Sequence, residues 1–129
     1  WVRVEELRAH GSARDVGAAF SGWGIPTAAA IASVRQATGL ATTIIGSGGL
    51  RTGLDAARAL ALGADIAGMA LPMFRAHQER GIDGVRDAVR TVLAGLKQTL
   101  VLTGSRTVSG LRSRKRIIGP TLSRWLETL

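Results

Sequence analysis

Residues 44–74 read IIGSGGLRTGLDAARALALGADIAGMALPMF. An apolar run closes on Gly46-Ser47-Gly48-Gly49. A helix-like, alanine-rich stretch follows, and a second apolar run closes at Leu71-Pro72. Two strands separated by one helix must run parallel, so this stretch commits the chain to βα units. It also places two small-residue strand ends where both can face one ligand.

The flanking sequence extends the alternation. Gly24 to Gly39 reads as a helix, with Pro26 at its start, Ile31 and Val34 on its apolar stripe, and Gly39 at its stop. Leu40–Gly46 reads as a strand carrying β-branched Thr42, Thr43, Ile44 and Ile45. Thr52–Ala64 reads as a helix with Leu54, Ala57, Leu60 and Ala61 at helical spacing and Gly63 at its end. Residues 65–71 form a short, nearly all-apolar strand, as expected when both faces are covered. Residues 82–104 carry the longest stripe, from Val85 through Val89, Val92, Leu93 and Leu96 to Leu100. Residues 1–24 read as irregular because Gly11, Gly17, Gly22 and Gly24 interrupt them, and 122–129 as a short docking helix. Two strands make a poor sheet. The expectation is therefore one partial α/β domain over residues 1–129, a slice of a larger architecture.

The chain has 129 residues and no cysteine. That excludes a disulfide framework, thiolate metal sites and a thiol nucleophile, and it suits a cytoplasmic protein. No apolar run reaches the roughly 18 to 20 residues that span a membrane. Net charge is +8, but residues 105–124 carry six basic side chains and no acid, so the basicity sits in a tail over 105–129. The RSRKR stretch there is open to three readings: a solvated loop, an interface cover, or a nucleic-acid patch. The tryptophans are scattered and do not interleave with the basic residues as a stacking platform would, which disfavours nucleic acid.

A glycine turn between strand and helix leaves backbone N–H groups free to face an anion. The following helix N-terminus adds partial positive charge, and Arg51 adds a full one. A tight turn requiring positive φ explains Gly48 and Gly49 equally well. The small residues at 68–71 suit either close packing or backbone approach to a ligand. Taken together, the two strand ends fit the phosphate site built by the loops after strands 7 and 8 of a (β/α)8 barrel. His10 and His77 have no partner at metal-ligand spacing, Glu5 and Glu6 point different ways, and Asp55 suits a helix first turn. Asp65 reads as a turn residue. No catalytic residue and no metal ligand is assigned.

The stretches SGWGIPTAAAI (21–31) and GSGGLRTGLDAARALALGADIAGMALPMF (46–74), with LTG (102–104) and RWL (124–126), resemble the C-terminal part of the type 2, FMN-dependent isopentenyl-diphosphate isomerases. The resemblance covers nearly the whole chain. The glycine-rich part is shared more loosely with other FMN-binding barrels, including the 2-hydroxy-acid oxidases. Those use a histidine-arginine arrangement near strand 7 that TTIIGSGG lacks.

The resemblance implies about the last third of a (β/α)8 barrel, with strands 7 and 8 present and Trp1 just beyond strand 6. It implies FMN bound by Gly49, Leu50, Arg51, Ala70 and Leu71, with Ser47 and Gly48 beside the phosphate. It further implies isopentenyl diphosphate as substrate, NADPH to reduce the flavin, and Mg2+ on the diphosphate. A tetramer or octamer is implied, as is a preceding part of the barrel that carries the catalytic and metal-binding residues.

Overall fold

The computed structural model describes residues 10–127. Its elements are α1 (Ser12–Ala19), α2 (Thr27–Thr38), β1 (Ile45–Gly46), α3 (Gly53–Leu62), β2 (Ile66–Ala67), α4 (Leu71–Leu102), α5 (Val108–Arg112) and α6 (Pro120–Leu126). β1 and β2 are parallel, with Ile45 opposite Ile66 and Gly46 opposite Ala67. Asp65 and Ile66 N–H groups donate to the Ile44 carbonyl, and Gly68 N–H donates to that of Gly46 at 2.8 Å.

The two strands divide the molecule into a covered face and an open one. Ile31, Ile44, Leu50, Ala59 and Ala64 form the buried cluster under the helices. Alternation then sends Ile45 and its register partner Ile66 to the opposite side, where they are 64% and 50% exposed. Gly46 is required at the centre of this packing. A Cβ there would lie 2.8 Å from Ile31 Cδ1 and 2.9 Å from Ala64 Cβ.

Helix α3 buries Gly53, Ala56, Ala57, Ala59 and Leu60. The buried stripe is therefore rotated from the expected one, and Leu54 is 44% exposed. α3 crosses α4 at two glycines: a Cβ on Gly53 would fall 2.2 Å from the Val92 carbonyl oxygen, and one on Gly95 would fall 3.2 Å from Gly53 Cα. Only residues without a side chain permit backbones this close.

Several expected boundaries are corrected. The strand read over 40–46 is confined to Ile45–Gly46. Residues 39–42 turn instead, because the Arg35 guanidinium gathers the carbonyls of Gly39 and Thr42. The strand read over 65–71 stops at Ala67, and Leu71 already belongs to α4. Pro72 suits a first helical turn, where its missing N–H costs nothing. The long helix therefore begins eleven residues early and is broken at Arg80 (φ −140°) and Gly81 (φ 57°). A short segment, 71–79, precedes the main rod, 82–102. α1 lies in a region that reads as irregular, and α5 lies in the part of the basic tail where the sequence pattern marks no helix. Trp1, Glu5 and Glu6 lie outside the described residues.

Candidate functional site

The C-terminal ends of β1 and β2 meet at Ser47 and Gly68. A Cβ on Gly68 would sit 3.1 Å from Ser47 Cβ, so the two loops touch only because residue 68 is glycine. Beyond Ser47 the chain turns through Gly48 (φ 105°) and Gly49 (φ 81°), two successive positive-φ residues that L side chains rarely match. Thr27 at the start of α2 donates its hydroxyl to the Gly48 carbonyl at 2.7 Å, which fixes the turn's orientation. The N–H groups of Gly48, Gly49 and Leu50 have no acceptor among the described residues. A Cβ on Gly49 would meet nothing within 4 Å, so this turn opens outward. The Leu50 side chain turns into the core at 9% exposure and leaves only its backbone for a ligand.

A capping box supports the turn from below. The Thr52 hydroxyl accepts from Asp55 N–H at 3.1 Å, and Asp55 Oδ2 accepts from the N–H groups of Arg51 and Thr52 at 3.2 and 3.1 Å. The Thr52 hydroxyl bond holds the Asp55 carboxyl below its ordinary range against the opposing effect of burial, and the Arg51 and Thr52 N–H donors add to the lowering. Asp55 thus satisfies two N–H groups beside the open turn. The Arg51 guanidinium is exposed and has no ion-pair partner among the described residues. The signal for this box was present as Thr-x-x-Asp ahead of an apolar stripe. Thr27, 21 residues from Gly48, left no local signal.

On the other loop, Ala70 is the N-cap of α4 and Leu71 its first residue. Both lie at the positive end of a short helix, not at the tip of a strand as the sequence suggested. Of the seven residues singled out, Ser47, Gly48, Gly49, Leu50 and Arg51 share one turn. Ala70 and Leu71 stand on the neighbouring loop, joined to it through the Ser47–Gly68 contact. The arrangement can hold a tetrahedral anion with free backbone N–H groups, one guanidinium and a helix N-terminus.

The opposite ends of the strands carry a different construction. The Asp65 carboxylate accepts from Ile44 N–H at 2.9 Å, Arg112 at 2.8 Å and Arg35 at 2.5 Å. The Ile44 amide first, then the two guanidiniums, lower its pKa to about 2. Arg112 also reaches the carbonyls of Leu60 and Ala64, and Arg116 that of Ala61. Asp65 is therefore more than a turn residue, and part of the basic tail is docked onto the end of α3. His10 and His77 are exposed, and no cluster of metal-ligating side chains occurs among the described residues. No helix among these residues is long and apolar enough to cross a membrane.

Residues 22–117 match the family of FMN-dependent dehydrogenases. The chain is 44% identical to an isopentenyl-diphosphate delta-isomerase of Pyrobaculum islandicum, over 98% of this chain and 36% of that relative. It is 42% identical to the enzyme of that name from Methanopyrus kandleri, over 98% of this chain and 35% of the relative. The corresponding figures for Sulfurisphaera tokodaii are 40%, 99% and 35%. The chain thus spans about a third of the length of the relatives it matches.

Proposed function

Because this chain belongs to the FMN-dependent dehydrogenase family, we propose that it is the flavin-phosphate end of a (β/α)8 barrel that interconverts isopentenyl and dimethylallyl diphosphate. The observation that carries the reading is the strand-end turn. Its Gly48, Gly49 and Leu50 N–H groups are unengaged among the described residues, and it stands against the loop that opens α4. In barrels of this kind the loops after strands 7 and 8 and a short extra helix form the phosphate site. In this reading β1 and β2 are strands 7 and 8, the loops at 47–51 and 68–70 follow them, and the 71–79 segment is the short helix. An apolar groove of about 270 Å3, lined by Ile25, Val34 and Ile45 among others, runs along β1 and suits a preceding strand. Exposed Ile45 and Ile66 would then point into the barrel interior.

The site residues fit FMN through its phosphate. Gly48, Gly49 and Leu50 would donate backbone N–H bonds, Arg51 would contribute charge, and Ala70 and Leu71 would present the α4 N-terminus. Ser47 lies beside them. Reduced FMN, when bound, supplies the chemistry of a net 1,3-proton shift across the substrate alkene. This chain's part is to hold the flavin's position, since small misplacement at the reacting atoms is costly in rate. Substrate contacts, Mg2+ ligands and the NADPH site belong, in this reading, to the remainder of the longer protein. A homo-oligomer is part of the same reading.

The test is a full-length protein containing this sequence. With reduced FMN and Mg2+ it should convert isopentenyl diphosphate to dimethylallyl diphosphate, and the isolated 129-residue chain should not. A full-length protein that oxidises 2-hydroxy acids and leaves isopentenyl diphosphate unchanged would overturn the proposal.

A further inference from the structure

A second concavity lies away from the flavin turn. It is a groove of about 520 Å3 between α2, the end of α3 and the segment that leads into α6. This is within the roughly 300 to 1,000 Å3 range of small-molecule clefts. Its floor carries aliphatic Ala32, Leu62, Ile118 and Leu126, with Arg35 and Gln36 of α2 also in the lining. One wall is cationic: Arg114, Lys115 and Arg116.

The cations are positioned without being neutralised. Arg114 donates to the Gly104 carbonyl and to Ser105 Oγ, and Arg116 to the Ala61 carbonyl. Carbonyl partners orient a guanidinium but leave its charge intact, and each guanidinium keeps further N–H donors. Lys115 has no partner among the described residues. The nearby carboxylates are engaged elsewhere: Asp65 is shared by Arg35 and Arg112, and Glu127 accepts from Ser123 Oγ at 2.9 Å. No aromatic ring lines the groove, so it offers nothing for a nucleobase to stack on.

We propose that this groove binds a soluble amphiphile with a phosphate head and a hydrocarbon tail. The head would sit against Lys115 and the two arginines, and the tail along Ile118, Leu62 and Leu126. The wall supplies phosphate recognition and the floor supplies apolar burial, and neither alone accounts for both sets of residues. The inference does not rest on the flavin reading, because the groove shares no residue with that turn.

The experiment is calorimetry on the full-length protein saturated with FMN. The probes are decyl phosphate below its micelle concentration, inorganic phosphate, and phosphatidylcholine vesicles containing phosphatidic acid. With the substrate site filled by isopentenyl diphosphate, decyl phosphate should bind at one further site, at least about tenfold more tightly than inorganic phosphate. Lys115→Glu, at an exposed side chain with no partner to lose, should weaken decyl phosphate about tenfold. Ile118→Ser should weaken decyl phosphate and leave inorganic phosphate unchanged. Equal affinity for the two phosphates, or indifference to Lys115→Glu, would overturn the proposal. Binding to the vesicles alone would also overturn it, by assigning the patch to a lipid surface.

Discussion

The β1–β2 pair has two ends, and they are built on opposite rules. Where the strands begin, Asp65 collects Ile44 N–H, Arg35 and Arg112, and the arginines go on to occupy carbonyls at 39, 42, 60, 63 and 64. Where the strands finish, Gly48, Gly49 and Leu50 keep their N–H groups unengaged among the described residues, and Arg51 stands without an ion pair. A chain gains stability by closing its polar groups on one another. It gains a binding site by leaving them open in a fixed geometry. This protein closes its polar groups below the sheet and leaves them open above it, within a strand length of two residues.

The sharpest way to break that comparison is at the lower end. Asp65→Ala strands two guanidiniums and the Ile44 amide together, and it should lower Tm by roughly 10 °C. FMN affinity of the surviving folded protein should stay within about twofold if FMN binds at the 48–50 turn as proposed, because that turn touches none of these groups. Differential scanning calorimetry and flavin fluorescence titration read the two effects separately. A large loss of affinity at unchanged Tm would show that the ends are not separate in role. Acid acts on the same group. Asp65 ordinarily titrates at 3.8 and here near 2, so its contribution to stability is complete above 3.8 and lost as pH falls through 2. The Asp65→Ala protein should lack that component of acid destabilisation.

The upper end gives the reciprocal result. Arg51→Ala should leave Tm nearly unchanged and weaken FMN about tenfold or more, as expected for losing one charge-assisted phosphate contact. The smallest effect is that of Thr52→Ala, which removes the α3 cap and should cost about 1 kcal/mol in urea denaturation. It also frees Asp55 to move, so FMN affinity should fall slightly with it. A Thr52→Ala protein of full stability would mean that the capping box does not hold the turn.

The upper end was legible in the sequence because its signals are local. Gly48-Gly49 after an apolar run and ahead of an alanine-rich helix is a feature of adjacent residues, and both glycines of the turn adopt positive φ. The lower end was not legible. Asp65 looks like a turn residue until Arg35 and Arg112, 30 and 47 residues away, are brought beside it. The strand lengths failed for a related reason: Arg35 pulls residues 39–42 into a turn that β-branched Thr42 and Thr43 argue against. At the second strand end, Leu71-Pro72 reads as a stop, although proline in that position equally opens a helix.

The Asp65 cluster also sets an order of events at synthesis. Arg35 is already made when Asp65 appears, but Arg112 lies 47 residues later. At roughly 5–20 residues per second, a ribosome needs between about two and ten seconds to supply it. Until then Arg35 is the one of its two arginine partners that has already been made. The second arrives with the α5 segment and ties the end of α3 to the last part of the chain.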